Sequence, residues 1–162
     1  MYLASRLLDG GNAHDAGCAL LADLYQNAVG GTPPPISRTP RGKPYFETGP
    51  WHFSISHTKT RVFCALSQNP VGIDAEDLDR KINLKLAEKI LSPSEYDRFS
   101  AAADPRIALL TFWVLKEAQV KLSGEGLQGY PNHTNFSLDD PRVTIRDGCL
   151  LAVLTKETDD VI

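Results

Sequence analysis

The chain is expected to be α+β, on three observations. Helical apolar periodicity fills one segment early in the chain and another late, period-two alternation follows each, and Gly, Pro and Asp-Gly turn chemistry separates them. The divide falls between a strand ending near Leu66 and one starting at Val71, so residues 1–68 and 69–162 share an order of helix then strands. A pseudo-two-fold arrangement of two similar α/β halves is therefore expected.

The elements follow in order. Ala16, Ala19, Leu20, Ala22, Leu24 and Val29 recur at helical spacing, Asn12 is placed to cap the helix and Gly30-Gly31 closes it. Thr32-Pro33-Pro34-Pro35 and the turn-rich Ser37 to Pro44 read as an exposed extended connection. Trp51 to His57 alternates as a strand, with Arg61 to Leu66 and Val71 to Glu76 as further strands of an antiparallel meander. Asn83 to Leu91 reads as a helix, and Ser92-Pro93-Ser94-Glu95 is a capping box with Pro at the first helical position. Asp104-Pro105 starts a helix running to Ser123 and ending at Gly124, apolar on almost every side through Leu115 and so interior. Asn135 to Leu138, Val143 to Ile145 and Leu150 to Thr155 read as closing strands, with a hairpin turn at Asp147-Gly148.

With 42% apolar and 23% charged residues in 162, the balance is that of a soluble globular protein rather than a disordered, fibrous or membrane one. Lys+Arg 17 against Asp+Glu 20 gives −3, which leaves no global positive field, and no nucleic-acid partner is expected. Cys18, Cys64 and Cys149 lie apart in apolar stretches and read as reduced core residues of a cytoplasmic protein. No apolar run reaches the roughly 20 residues that span a bilayer, and the N-terminus lacks a signal-peptide pattern.

Four segments carry chemistry. In Val71-Gly72-Ile73-Asp74-Ala75-Glu76, period two sends Asp74 and Glu76 to one face, where paired carboxylates suit Mg²⁺ or Mn²⁺; a solvated strand face is the alternative. Trp113, Glu117 and Lys121 share one helical stripe, so Glu117 is a third metal carboxylate or a general base and Lys121 a phosphate donor, unless they form an ordinary surface Glu-Lys pair. Ser54, Ser56 and His57 end a strand in groups able to donate to phosphate, although parity puts His57 on the face of Phe53 and Ile55. Arg38, Arg41 and Lys43 form a basic loop able to clasp phosphate or simply to lie in solvent. Glu95 either reaches a site or serves only its capping box.

Gly42-Lys43-Pro44, Phe53-Ser54-Ile55-Ser56-His57-Thr58, Val71 to Glu76, Leu91-Ser92-Pro93-Ser94-Glu95-Tyr96, and Trp113 to Ala118 with Lys121 and Gly124-Glu125-Gly126-Leu127 come in the order and near the spacing of one family. Together they resemble the Sfp-type 4′-phosphopantetheinyl transferases. The resemblance implies a pseudo-two-fold fold with coenzyme A in the cleft between the halves. It also implies Mg²⁺-dependent transfer of the phosphopantetheine arm to a serine of an apo acyl or peptidyl carrier protein, with release of 3′,5′-ADP. Carried over by motif, Asp74, Glu76 and Glu117 are the metal ligands and Glu117 the base. Lys121 and His57 contact CoA phosphates, Ser56 sits beside His57, and Lys43 with Arg38 holds the nucleotide end.

Two departures from the pattern are visible. The N-terminal half is expected to be shortened, because family members open on a strand and a basic stretch where this chain has MYLASRLLDGGNAHDAG with Arg6 alone, and the C-terminal tail is short. A pseudo-dimer within one chain has little need of a partner copy, so a monomer is expected. The alternatives are a non-catalytic CoA- or carrier-binding homologue and an unrelated Mg²⁺-dependent phosphohydrolase using the same carboxylates.

Overall fold

Tyr2–Leu7 is a strand, β1, and it pairs antiparallel with β5 (Arg61–Ser67), so the chain does open on a strand. The protein is described from a computed structural model, over residues 1–126 and 134–156; Leu127 of the glycine-loop motif and the tail after Lys156 lie outside these. Helix α1 (Ala13–Ala28) starts as expected on Asn12, whose side chain accepts from the backbone N–H of His14 at 2.8 Å. The connection after it is not simply extended. Its basic stretch folds into a small hairpin, β2 (Ile36–Arg38) with β3 (Pro44–Phe46), because Gly42 at φ 89° supplies the left-handed turn between them.

Strand β4 (His52–His57) pairs antiparallel with β5, but β6 (Val71–Asp77) leaves the expected meander. It pairs instead with β8 (Cys149–Thr155), which also takes β7 (Val143–Arg146), giving two three-stranded antiparallel sheets ordered β1-β5-β4 and β6-β8-β7. The β7–β8 turn is at Asp147-Gly148, both at positive φ, as the dipeptide foretold. Between Asn83 and Leu91 the helix is split into a 3₁₀ turn (Leu84–Leu86) and one α-turn, α2 (Ala87–Ile90). Helices α3 (Pro93–Ser100) and α4 (Pro105–Ser123) begin at their expected caps, and α4 ends at Gly124 with φ 72°.

Alternation within the strands builds three cores. On β5, Val62, Cys64 and Leu66 face α1, while Phe63 and Ala65 face the other way. On β8, Leu150, Ala152 and Leu154 face α4, and Cys149 and Leu151 face inward. The inward residues join Val71, Ile73 and Ala75 of β6 in one shared layer, so the two sheets lie face to face with a helix on each outer side. Two of the cysteines, Cys64 and Cys149, are buried and free as expected; Cys18 is exposed on α1 and is not a core residue.

The sheets meet along β4 and β6 without a backbone ladder. The N–H groups of Ile73 and Ala75 point away from β8 and are accepted instead by the hydroxyls of Ser54 (3.0 Å) and Ser56 (3.1 Å), whose matched two-residue spacing makes the strands run parallel there. One residue beyond the strand, Thr58 and Thr60 donate to Asp77 at 2.8 and 2.6 Å, and Lys59 N–H donates to it at 3.0 Å. Burial pushes the Asp77 carboxyl up, yet these bonds hold it below its ordinary range.

Glu95 resolves to its structural role. It closes the capping box at Ser92, accepts from Phe136 N–H at 2.9 Å and pairs with Lys116 of α4 at 2.8 Å, both side chains fully buried. That bond takes the backbone of Phe136, so Asn135 to Leu138 is an irregular segment over the α4 core rather than a strand. Helix α4 meets β6 more closely than side chains normally permit: a Cβ on Gly72 would lie 2.2 Å from Ala118 O and 2.4 Å from Leu122 N.

Two substitutions test this packing by urea unfolding. Gly72→Ala forces backbone from backbone and is expected to cost about 3 kcal/mol. Lys116→Ala strands the buried Glu95 carboxylate and is expected to cost about 3–5 kcal/mol.

Candidate active site

The face of β6 turned to α4 carries Gly72, Asp74 and Glu76, as alternation required. Close approach at Gly72 brings the next outward residues against the α4 stripe. Lys121 Nζ donates to Asp74 Oδ1 at 2.8 Å, and Trp113 Nε1 donates to Glu76 Oε1 at 3.2 Å. Ser56, His57, Asp74, Glu76, Glu117 and Lys121 line one cavity of about 410 Å³, with Arg80 and Trp113 beside them. Asp74, Glu76, Glu117, Lys121 and His57, which the sequence singled out for metal and catalytic roles, thus border one cavity.

Asp74 lines this cavity and is itself buried. Its Oδ1 accepts from Ser56 Oγ (2.9 Å) and Lys121, whereas its buried Oδ2 has no hydrogen-bond partner. Such an orphaned carboxylate oxygen is costly unless something completes it. Glu117 is half-buried, and burial first, then the nearby Asp74 charge, push its carboxyl above the ordinary range against the pull of Lys121 and Arg80. An unfilled hard oxygen beside two further carboxylates fits a divalent cation such as Mg²⁺. No three His, Cys, Asp or Glu side chains among the described residues are positioned together as ligands, and Asp74 Oδ1 and Glu76 Oε1 hold Lys121 and Arg80.

His57 ends β4, paired with Val62 and exposed, and still borders the cavity. It keeps the parity of Phe53 and Ile55, and as the last residue of an edge strand it lines both this cavity and the neighbouring one. Ser56 does sit beside His57, but its hydroxyl is engaged by Ala75 N–H and Asp74.

A second cavity of about 240 Å³ shares Ile55 and Lys121 with the first and is walled by Arg41, Lys43, Pro44 and Gly124. Lys43 crosses its floor, with Nζ donating to Leu122 O at the end of α4 (2.7 Å); burial, then Lys156, lowers its ammonium pKa. Arg41 borders this cavity and donates to Glu125 O at 2.9 Å. Arg38 does not join it: its guanidinium turns back to Gly42 O at 2.8 Å within the hairpin. A third cavity, about 660 Å³, continues past His57, Glu76 and Arg80 to Lys59 and Lys81. The three share walls in turn along the β4–β6 seam.

Sequence reasoning missed Arg80, which pairs with Glu76 and stands over the Trp113 ring at 5.6 Å from its centroid. Its signal was a cation four residues after Glu76 in the acidic turn. It also missed the seam role of Ser54 and Ser56, whose period-two spacing opposite a strand edge was readable.

Glu117→Gln separates site function from stability. A carboxyl raised in the fold favours folding below its unfolded pKa, and that advantage is lost as pH rises through the folded value. The glutamine variant is therefore expected to melt higher than the parent at neutral pH, with the gap closing toward pH 4, in thermal unfolding across that range.

Residues 70–154 match the model of the 4′-phosphopantetheinyl transferase superfamily. The chain is 37% identical over 109 residues to 4′-phosphopantetheinyl transferase psf-1 of Bacillus pumilus, covering 65% of this chain and 46% of that protein. It is 36% identical over 88 residues to 4′-phosphopantetheinyl transferase gsp of Aneurinibacillus migulanus (53% and 36%), and 36% over 78 residues to 4′-phosphopantetheinyl transferase Sfp of Bacillus subtilis strain 168 (47% and 34%). The chain spans less than half the length of these relatives. With more than half of its residues inside the family match, and with the carboxylates and Lys121 on one cavity, the chain belongs to the 4′-phosphopantetheinyl transferase superfamily.

Proposed function

We propose that the protein transfers the 4′-phosphopantetheine arm of coenzyme A to a serine of an apo acyl or peptidyl carrier protein, releasing 3′,5′-ADP. The observation that carries this is the convergence of Asp74, Glu76, Glu117, Lys121 and His57 on one cavity in a chain of this superfamily. In this reading residues 1–68 and 69–162 are two halves and the coenzyme lies in the seam between them. Support comes from the lining, since Ile55, Ser56 and His57 belong to the first half and the carboxylates and Lys121 to the second. A pseudo-two-fold axis along the strands, midway between the packed sheets, would carry β1 onto β6, β4 onto β7, β5 onto β8 and α1 onto α4.

The chemistry assigned to each residue follows from position. The carrier serine oxygen attacks the phosphorus bearing the pantetheine arm, the bond from that phosphorus to the nucleotide phosphate breaks, and the serine proton passes to Glu117. A carboxyl that burial and the Asp74 charge hold above its ordinary range suits that acceptance. Lys121 and His57 donate to the non-bridging oxygens, where charge must be neutralised as the leaving group departs. Lys43 and Arg41 border the cavity for the nucleotide end, and Arg38 stabilises their hairpin from behind. Asp74, Glu76 and Glu117 would hold Mg²⁺ or Mn²⁺, which when bound supplies positive charge to the pyrophosphate.

The partners in this reading are coenzyme A and a carrier protein, the protein acts as a monomer in the cytoplasm, and nucleic acid has no part. No helix among the described residues is long and apolar enough to cross a membrane.

Intact mass of apo carrier proteins, after incubation with the protein, CoA and Mg²⁺, tests the assignment. A gain of one phosphopantetheine arm that EDTA abolishes is expected, and Asp74→Ala or Glu117→Ala should lower its rate by at least about 10²-fold while the fold persists. Binding of CoA without any gain on any carrier would instead support the non-catalytic homologue.

A further inference from the structure

Asp74, Glu76 and Glu117 place three negative charges around one cavity, and two cations already answer them. Lys121 holds Asp74, and Arg80 holds Glu76. With Glu117 ionised the cluster sums to −3 + 2 = −1. Adding a divalent cation with both side chains in place would overshoot to +1, whereas losing one of them restores −3 + 1 + 2 = 0.

The two cations are not equivalent. Lys121 shares Asp74 Oδ1 with Ser56 and also lies 3.5 Å from Ile55 O, so it belongs to the packed seam. Exposure is similar in the two pairs, 32% and 10% for Lys121 and Asp74 against 38% and 16% for Arg80 and Glu76. What differs is the anchoring, since Lys121 has a backbone carbonyl as second acceptor while beyond Glu76 Arg80 lies on the Trp113 ring. The Arg80 backbone is pinned meanwhile: Arg80 N–H donates to Asp77 O at 2.9 Å, and Arg106 of α4 donates to Leu78 O at 2.5 Å. Only the side chain need swing. Arg80 also stands on the indole whose N–H donates to the same Glu76 oxygen, so ring, guanidinium and carboxylate form one triangle.

We propose that Arg80 is the resident counter-ion of Glu76, displaced when a divalent cation enters, and that Trp113 registers the exchange. The inference rests on the transferase reading for the identity of the cation and names a positioning residue that this reading leaves unassigned. Arg80 keeps the carboxylates from repelling one another before the cation arrives, and it competes with that cation for Glu76.

The test uses Mg²⁺ alone, without CoA. In a Trp51→Phe background, Trp113 is the sole indole, and MgCl₂ is expected to produce a saturable change in its emission that NaCl of equal ionic strength does not. Arg80→Gln should bind Mg²⁺ about two- to five-fold more tightly, as expected for loss of a partly exposed ion pair, and the advantage should shrink at high salt. Arg80→Met, which keeps the stem against Trp113, carries the same expectation should the glutamine variant not fold; Arg80→Lys should bind as the parent does. Unchanged or weaker binding in the charge-removing variants, or no Trp113 response in the parent, overturns the proposal. Carrier modification followed in parallel separates the two readings. Modification without tightening refutes the counter-ion alone, while tightening without modification of any carrier refutes the transferase and leaves the counter-ion standing.

Discussion

Everything at the site depends on how closely β6 lies on α4. Gly72 is the only residue type that lets the strand rest against the helix backbone at Ala118 and Leu122, and a strand held there has no freedom to slip. A one-residue shift would turn Val71, Ile73 and Ala75 onto the helix and push Asp74 and Glu76 into the apolar layer between the sheets. The contact therefore sets which face carries charge, which rung meets Lys121 and which meets Trp113. Other contacts reinforce it: Glu95 and Lys116 lock α4 to α3 from the far side, and Lys43 holds the last turn of α4 by its carbonyl.

The seam supplies the remaining wall by a different kind of bond. Serine hydroxyls, rather than a ladder, join β4 to β6, so one side chain can serve the backbone of the opposite strand and a carboxylate of the site at once. Ser56 does both, accepting from Ala75 and donating to Asp74. Satisfying a buried N–H and orienting a charged group are thus one act, and neither sheet can shift without disturbing the other's chemistry.

The parts of this arrangement that were legible in the sequence are those fixed by neighbours in the chain. Alternation in Val71 to Glu76 put the carboxylates on one face, Asn12, Ser92 and Asp104 marked helix starts, and Asp147-Gly148 marked a turn. What was not legible depended on partners far away. β6 pairs with β8 across more than seventy residues, and nothing local in either says so. Phe136 looks like strand sequence, yet its N–H is claimed by Glu95 forty-one residues earlier. Tyr2–Leu7 is an edge strand of mixed Ala, Ser and Arg whose pairing with β5 supplies what its propensity does not. Among site residues, those on the two regular elements, β6 and α4, were found, and Arg80, on a turn whose course is set by Arg106, was not.

The order of strands also bears on how the chain is made. In the second sheet the central strand, β8, is the last to leave the ribosome, while β6, which carries the carboxylates, emerges some seventy residues before it. The first sheet and α1 are complete by Ser67, so they offer a finished surface against which Val71, Ile73 and Ala75 can shelter during that interval. The seam's hydroxyl partners, Ser54, Ser56, Thr58 and Thr60 of the β4–β5 hairpin, all precede β6, so these bonds need nothing that is made after Asp77. Asp74 and Glu76 thus lie on a strand whose seam partners all precede it in the chain, whereas its ladder partner comes last in the sheet.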